Sequence, residues 1–160
     1  MNTIFYNDNT ITYTSLLTIN HCIIDNDYDI LIKENEDVFF IPGSVKYHSV
    51  FIEYYLGEKK RKPVTLDALV ISEDKLYLCS LTSEGSFSKI LLNKTKPLFI
   101  GDGSRYGLGA LDAGAEPLEA FNIATNRGLT SRGAIRTYDL IKKRNVNNHG
   151  WKPDRIISNQ

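Results

Sequence analysis

Ile100-Gly101-Asp102-Gly103-Ser104-Arg105-Tyr106-Gly107-Leu108-Gly109-Ala110-Leu111-Asp112-Ala113-Gly114 is the most informative stretch of this chain. A short apolar strand, Leu98–Ile100, leads into two glycines that bracket Asp102, and a helix opens behind them. Glycines at 101 and 103 mark a turn with unusual backbone angles, and small residues crowding a helix mark the close approach of another backbone. A second helix starts at Glu116-Pro117, with proline in its first turn, carries Leu118, Phe121, Ile123 and Ala124, and ends at Gly128. Ile135–Leu140 then reads as a strand. The glycine turn also has the outline of a phosphate cradle. A full GxGxxG, however, needs glycine where Tyr106 stands, the P-loop lysine is missing, and Asp102 would repel phosphate. Nucleotide binding is therefore excluded there.

Upstream, the chain is mostly strand. Thr3–Tyr6 and Thr10–Thr14 are β-branched and aromatic runs divided by Asn7-Asp8-Asn9, a hairpin signal. Leu17–Ile24, Tyr28–Ile32 and Val38–Ile41 continue the pattern up to the breaker Pro42-Gly43-Ser44. From Val45 to Leu56 the apolar positions fall at helical spacing, which predicts a helix over about 44–57. Leu66–Ile71, Leu76–Leu81 and Phe87–Leu92 follow as strands. Helices are expected at about 103–113 and 117–128. This order disfavours an alternating parallel sheet and favours two antiparallel sheets covered by helices.

Composition narrows the function classes. The 160 residues are 42% hydrophobic and 24% charged, which is globular usage, and formal net charge is zero. A balanced chain has no overall electrostatic pull toward nucleic acid or anionic membrane. No apolar run approaches the roughly 18 residues of a membrane span. Cys22 and Cys79 sit singly in apolar stretches and read as reduced, buried thiols of a cytoplasmic protein, with one disulfide as the other reading. His21, His48 and His149 are far apart and no CxxC or HExxH occurs, so neither metal nor cofactor is expected. Residues 141–160 carry five basic side chains against the single Asp154 and include Trp151, the only tryptophan. They read as a basic tail behind a domain of residues 1–140, with Trp151 as a candidate anchor onto protein.

Four stretches in order carry a family resemblance. They are Met1-Asn2-Thr3-Ile4, Asn9–Thr18 with Tyr13-Thr14-Ser15, Val38–Ser44 with its Pro42-Gly43 turn, and Ile100–Ala110. The chain resembles the N-terminal-nucleophile (Ntn) hydrolases on the proteasome β-subunit side, HslV-type peptidases and, more closely, small proteasome-like proteins encoded by phages. The resemblance covers residues 2–140 and implies a four-layer αββα sandwich. Only Glu58–Thr65 stands where the family has a second helix, so one helix is expected to be missing.

The family's nucleophile is an N-terminal threonine, helped by a lysine, an aspartate and a serine. By resemblance, the nucleophile position falls on Asn2, the aspartate on Thr14, the lysine on Tyr28 and the serine on Asp102. Gly43 falls on the glycine of the oxyanion hole. Asn2 lacks a hydroxyl, Tyr28 brings no positive charge, and members of a catalytic unit fail together. The expectation is a non-catalytic, phage-encoded, cytoplasmic protein that acts through protein contact, with a host factor as a candidate partner. Family members also self-assemble, and Gly107, Gly109, Ala110, Ala113 and Gly114 offer small-residue positions for a neighbouring helix, so a homo-oligomer is expected. The alternative is a threonine peptidase or amidase. It requires removal of residues 1–2, with Thr3 as nucleophile and Lys33 and Asp102 as supporting charges. That one-residue shift turns the side chain to the other face of a strand. The third reading is a nucleic-acid or host-factor binder acting through the basic tail.

Overall fold

The computed structural model describes residues 2–20, 22–128 and 133–146. The chain divides into two compact units, residues 1–29 with 94–160 and residues 30–93.

The first unit is built on a five-stranded antiparallel sheet in the order β10-β1-β2-β11-β12. These strands are β1 (Thr3–Asn7), β2 (Thr10–Ser15), β10 (Leu98–Gly101), β11 (Ala134–Asp139) and β12 (Arg144–Val146). Asp8 and Asn9 turn β1 into β2 at φ 45° and 58°, a backbone that short polar side chains tolerate. Two helices, α2 (Ser104–Asp112) and α3 (Pro117–Arg127), pack on one face of this sheet. Alternation sends Phe5 and Phe99 to that face, where their rings stack 4.1 Å apart and Phe5 meets Phe121 of α3. Ala120 and Ala124 complete the cluster. Ile4, Tyr6, Ile11 and Tyr13 on the opposite face are buried as well.

Between β2 and the second unit lies a separate two-stranded hairpin, β3 (Leu17–Ile19) and β4 (Cys22–Asp25). The single strand expected over Leu17–Ile24 is therefore two, because Asn20 adopts φ 50° and reverses the chain. Among the described residues these strands pair only with each other, and Ile19, Ile23 and Ile24 are exposed. Cys22 is exposed too, against the expectation of a buried thiol, while Cys79 is buried and both are free.

The second unit is a five-stranded antiparallel sheet in sequence order. Its strands are β5 (Leu31–Glu34), β6 (Asp37–Phe40), β7 (Leu66–Ser72), β8 (Lys75–Leu81) and β9 (Phe87–Leu91). No strand forms over Tyr28–Ile30, so β5 starts later than the apolar run suggests. The helix expected from residue 44 opens as a 3-10 turn over Val45–Tyr47 and becomes α1 only at His48–Tyr55. Val50, Phe51 and Tyr54 of α1 pack on Phe39, Ala68, Val70, Cys79 and Leu81. No helix lies between α1 and β7, in agreement with the expected deletion. All strand pairs among the described residues are antiparallel.

The first sheet runs past Leu140, where the domain was expected to end. Asp139 accepts the backbone N–H groups of Ile141 and Lys142 at 2.8 and 2.9 Å, and Lys143 takes φ 57°. This turn returns Arg144–Val146 onto β11, so the first residues of the basic segment belong to the sheet.

Candidate functional site

Strand pairing in the first unit brings Asn2, Thr3, Thr14 and Asp102 together. β1 lies between β10 and β2, with Thr3 opposite Gly101 and Ile4 opposite Tyr13, which sets Thr14 beside Thr3. The backbone N–H of Asp102 donates to the Asn2 carbonyl at 3.1 Å. Asn2 in turn donates its side-chain amide to the Thr14 carbonyl at 2.7 Å. The Thr3 N–H donates to Thr14 Oγ1 at 3.0 Å, and Thr3 Oγ1 donates to the Asp102 carbonyl at 2.6 Å. Asn2, Thr3 and Thr14 are all buried. Every bond in this set joins neutral groups, and none presents a base to a hydroxyl. The Thr3 nitrogen is a peptide nitrogen already engaged as a donor, and its hydroxyl proton is engaged by a carbonyl.

Alternation decides which way Thr3 faces. Thr3 shares a face with Phe5, the face covered by α2 and α3, whereas Ile4 points the other way. The backbone behind Asp102 is held by Gly103, the residue that caps α2, at φ 74°. A Cβ on Gly103 would run into the Ala124 carbonyl, so α3 can approach the start of α2 only because residue 103 is glycine.

The remaining positions lie elsewhere. Tyr28 is half-buried in the segment after β4, in the first unit. Lys33 is exposed on β5, and Gly43 follows β6 at φ 97°, both in the second unit. Gly107 is buried, and a Cβ there would sit 2.6 Å from Phe99 Cζ, so it packs on its own sheet. Ala110 is half-buried against the same aromatic cluster. Gly109, Ala113 and Gly114 are exposed, and a Cβ on Gly109 or Gly114 would meet nothing within 4 Å. The five small residues thus serve two directions. Trp151 lies outside the described residues, as do His21 and His149. Among the described residues, no three His, Cys, Asp or Glu side chains gather as a metal would need.

Sequence reasoning missed three polar features. Ser15 is buried and its Oγ has no partner among the described residues. His48 is buried at the start of α1, and its Nε2 has no partner among the described residues. Burial holds this imidazole down at about 4, with a hydrogen bond to the Ile41 backbone opposing the shift. Its spacing of three from Phe51 was the available signal. The third is a network in which Tyr13 donates to Asp29 at 2.7 Å while Arg136 pairs with Asp27 at 2.8 Å. Burial, and then Asp29, push the Tyr13 phenol up. Arg136 stands opposite Tyr13 in the β2–β11 ladder, a pairing that only the register reveals.

No family model matches the chain, and no curated protein does. Among solved structures, Thiobacillus denitrificans BPH in complex with epoxomicin matches with a TM-score of 0.53, covering 87% of this chain and 98% of that one. The fold is proteasome-like. Sequence identity over that match is 14%, so the likeness speaks for the fold alone and assigns no residue a role. It agrees with the family resemblance carried by the four sequence stretches, and with the two helix-backed antiparallel sheets. No described helix is long and apolar enough to cross a membrane.

Proposed function

We propose that this chain is a proteasome-like protein without peptidase activity that works by binding protein, copies of itself included. One observation carries the reading: the hydroxyl next in sequence to the family's nucleophile position, that of Thr3, is fully buried and donates to the Asp102 carbonyl. Asn2 occupies the nucleophile position itself, and its amide is neither a nucleophile nor free to turn while it bonds Thr14. Thr14 and Asp102 meet Asn2 and Thr3 through backbone groups and the Thr14 hydroxyl, bonds that support strand pairing. The reading keeps the four-layer αββα arrangement as the one the resemblance implies. The resemblance to phage-encoded members likewise suggests a phage source and a partner in the host.

The test pairs intact mass with labelling by an electrophile directed at N-terminal threonine. A chain that starts at Met1 or Asn2 and takes up no label is the expected result, and Thr3→Ala then leaves the biological effect intact. A chain that starts at Thr3 and labels stoichiometrically, with labelling abolished by Thr3→Ala, would overturn this reading. That outcome would establish the threonine peptidase, for which Lys33 and Asp102 are the supporting groups to substitute next. Binding to DNA that weakens with salt and vanishes on truncation at Leu140 would instead favour the nucleic-acid reading.

A further inference from the structure

β9 is the last strand of its sheet and, among the described residues, pairs only with β8. Two hydrogen bonds at the ends of that ladder fix which backbone groups face outward. The Leu92 N–H donates to the Leu76 carbonyl, and the Thr82 N–H donates to the Ser86 carbonyl. Bonded and unbonded pairs alternate in an antiparallel ladder, so Ser88 and Ile90 are the β9 residues bonded to β8. Phe87, Lys89 and Leu91 therefore turn their N–H and C=O groups away from the sheet.

Edge strands are ordinarily blunted by a bulge, a proline or a projecting charge. The β8–β9 register runs without a shift, and β9 contains no proline. Its one charge is folded back. The Lys89 ammonium lies 4.7 Å and 4.5 Å from the ring centres of Tyr55 and Tyr77 and donates to the Tyr55 hydroxyl at 2.9 Å. Tyr55 in turn donates to Asp37 at 2.7 Å. On β5, the other edge of this sheet, Lys33 and Glu34 are both exposed charges. β9 instead exposes Leu91 by 59% on the face of Lys89 and Ile90 by 52% on the opposite face.

We infer that β9 is a docking edge for an extended segment of another protein, which adds a strand with an acidic residue opposite Lys89 and apolar residues beside Ile90 and Leu91. The outward groups of Lys89 and Leu91 supply the main-chain bonds, and the two exposed side chains gain cover on both faces. Charge selects a different protein over a second copy of β9. Outward-facing residues pair with outward-facing ones, so a two-fold register sets Lys89 opposite the other Lys89 or on its diagonal, where like charges oppose pairing.

This inference names the contact surface within the protein-binding reading and rests on that reading. The test titrates the full chain, labelled with nitrogen-15, with a capped peptide Ser-Val-Val-Glu-Val-Val-Ser and its counterpart carrying lysine for glutamate. The amide signals of Lys89 and Leu91 are expected to move more than those of Ser88 and Ile90. The lysine peptide is expected to bind about threefold more weakly or worse. K89E is expected to reverse that preference. L91P removes an outward N–H without touching the β8 ladder and is expected to abolish binding. Circular dichroism confirms that the variants fold, and the two peptides on the wild type decide the matter if one does not. Unmoved β9 amides, equal binding of both peptides, or normal binding by L91P would each overturn the docking edge. So would a wild-type dimer in sedimentation that L91P dissolves, which would make a second copy the occupant. Electrophile labelling of the same chain keeps the two proposals apart, because an unlabelled chain whose β9 takes no strand refutes this inference alone.

Discussion

Polar groups are buried in both units, and they are buried on opposite terms. Around the N-terminal end of β1, Asn2, Thr3, Thr14 and Asp102 supply donors and acceptors to one another. At the start of α1, His48 is equally buried but its Nε2 has no partner among the described residues. The hydrogen bonds that tie the first arrangement together join neutral groups. The second holds only while the imidazole is uncharged, because protonation would bury a cation with one nitrogen left without a partner among the described residues. Burial alone therefore does not tell what a polar residue does. The destination of its hydrogen bonds does.

The largest effect tests whether the first arrangement depends on the close approach of α3 to α2. Gly103→Val adds a β-branched side chain at φ 74° and into the Ala124 carbonyl. A loss of about 3–5 kcal/mol in urea denaturation, or failure to fold, is expected. Acid tests the second arrangement. The folded-state value of His48, about 4, lies below the ordinary 6.5, so the unfolded chain takes up the proton more readily. Its contribution is complete above about pH 6.5 and disappears as pH falls toward 4, a change of about 3 kcal/mol. His48→Leu is expected to remove this component from the pH profile of unfolding, leaving only the carboxylate titration common to both proteins.

Returning to the first arrangement, Thr3→Val keeps the side-chain shape and deletes the bond to the Asp102 carbonyl. A loss of about 1–3 kcal/mol, constant between pH 7 and pH 4, is expected from denaturation at the two pH values. A loss confined to acid would break the contrast. The smallest effect is Lys60→Ala. Lys60 meets Glu58 at 3.5 Å on open surface, and its removal is expected to leave the melting temperature unchanged.

Some of this was legible in the sequence. Asn7-Asp8-Asn9 announces a hairpin because Asp and Asn accept left-handed backbone, and Asp8 and Asn9 adopt it. Glycines 101 and 103 and Pro117 place α2 and α3 within a residue of their observed ends. The break at Asn20 was hidden because apolar residues flank it on both sides in Leu17–Ile24, and with it the exposure of Cys22. β12 was hidden because Arg144–Val146 shows no apolar alternation. Its position is set by the Asp139 turn and by pairing with β11, and neither leaves a periodic signal. At the site, the family resemblance singled out Asn2, Thr14 and Asp102, and alternation gave the face of Thr3. What each group bonds was not readable, since Thr3 and Asp102 are 99 residues apart and meet only through the β1–β10 register.

The β11–β12 hairpin has a mechanical consequence. β12 is an outer strand held by three residue pairs, and antiparallel pairing lets its bonds open one after another under a pull from the C-terminal side. β1, clasped by β10 and β2, loads both ladders together when pulled along its length, and four residue pairs on each side must slip at once. Tension entering through the C-terminal side should thus unzip the sheet from β12 inward at low force. The same tension entering at β1 should meet a stiff, shearing resistance.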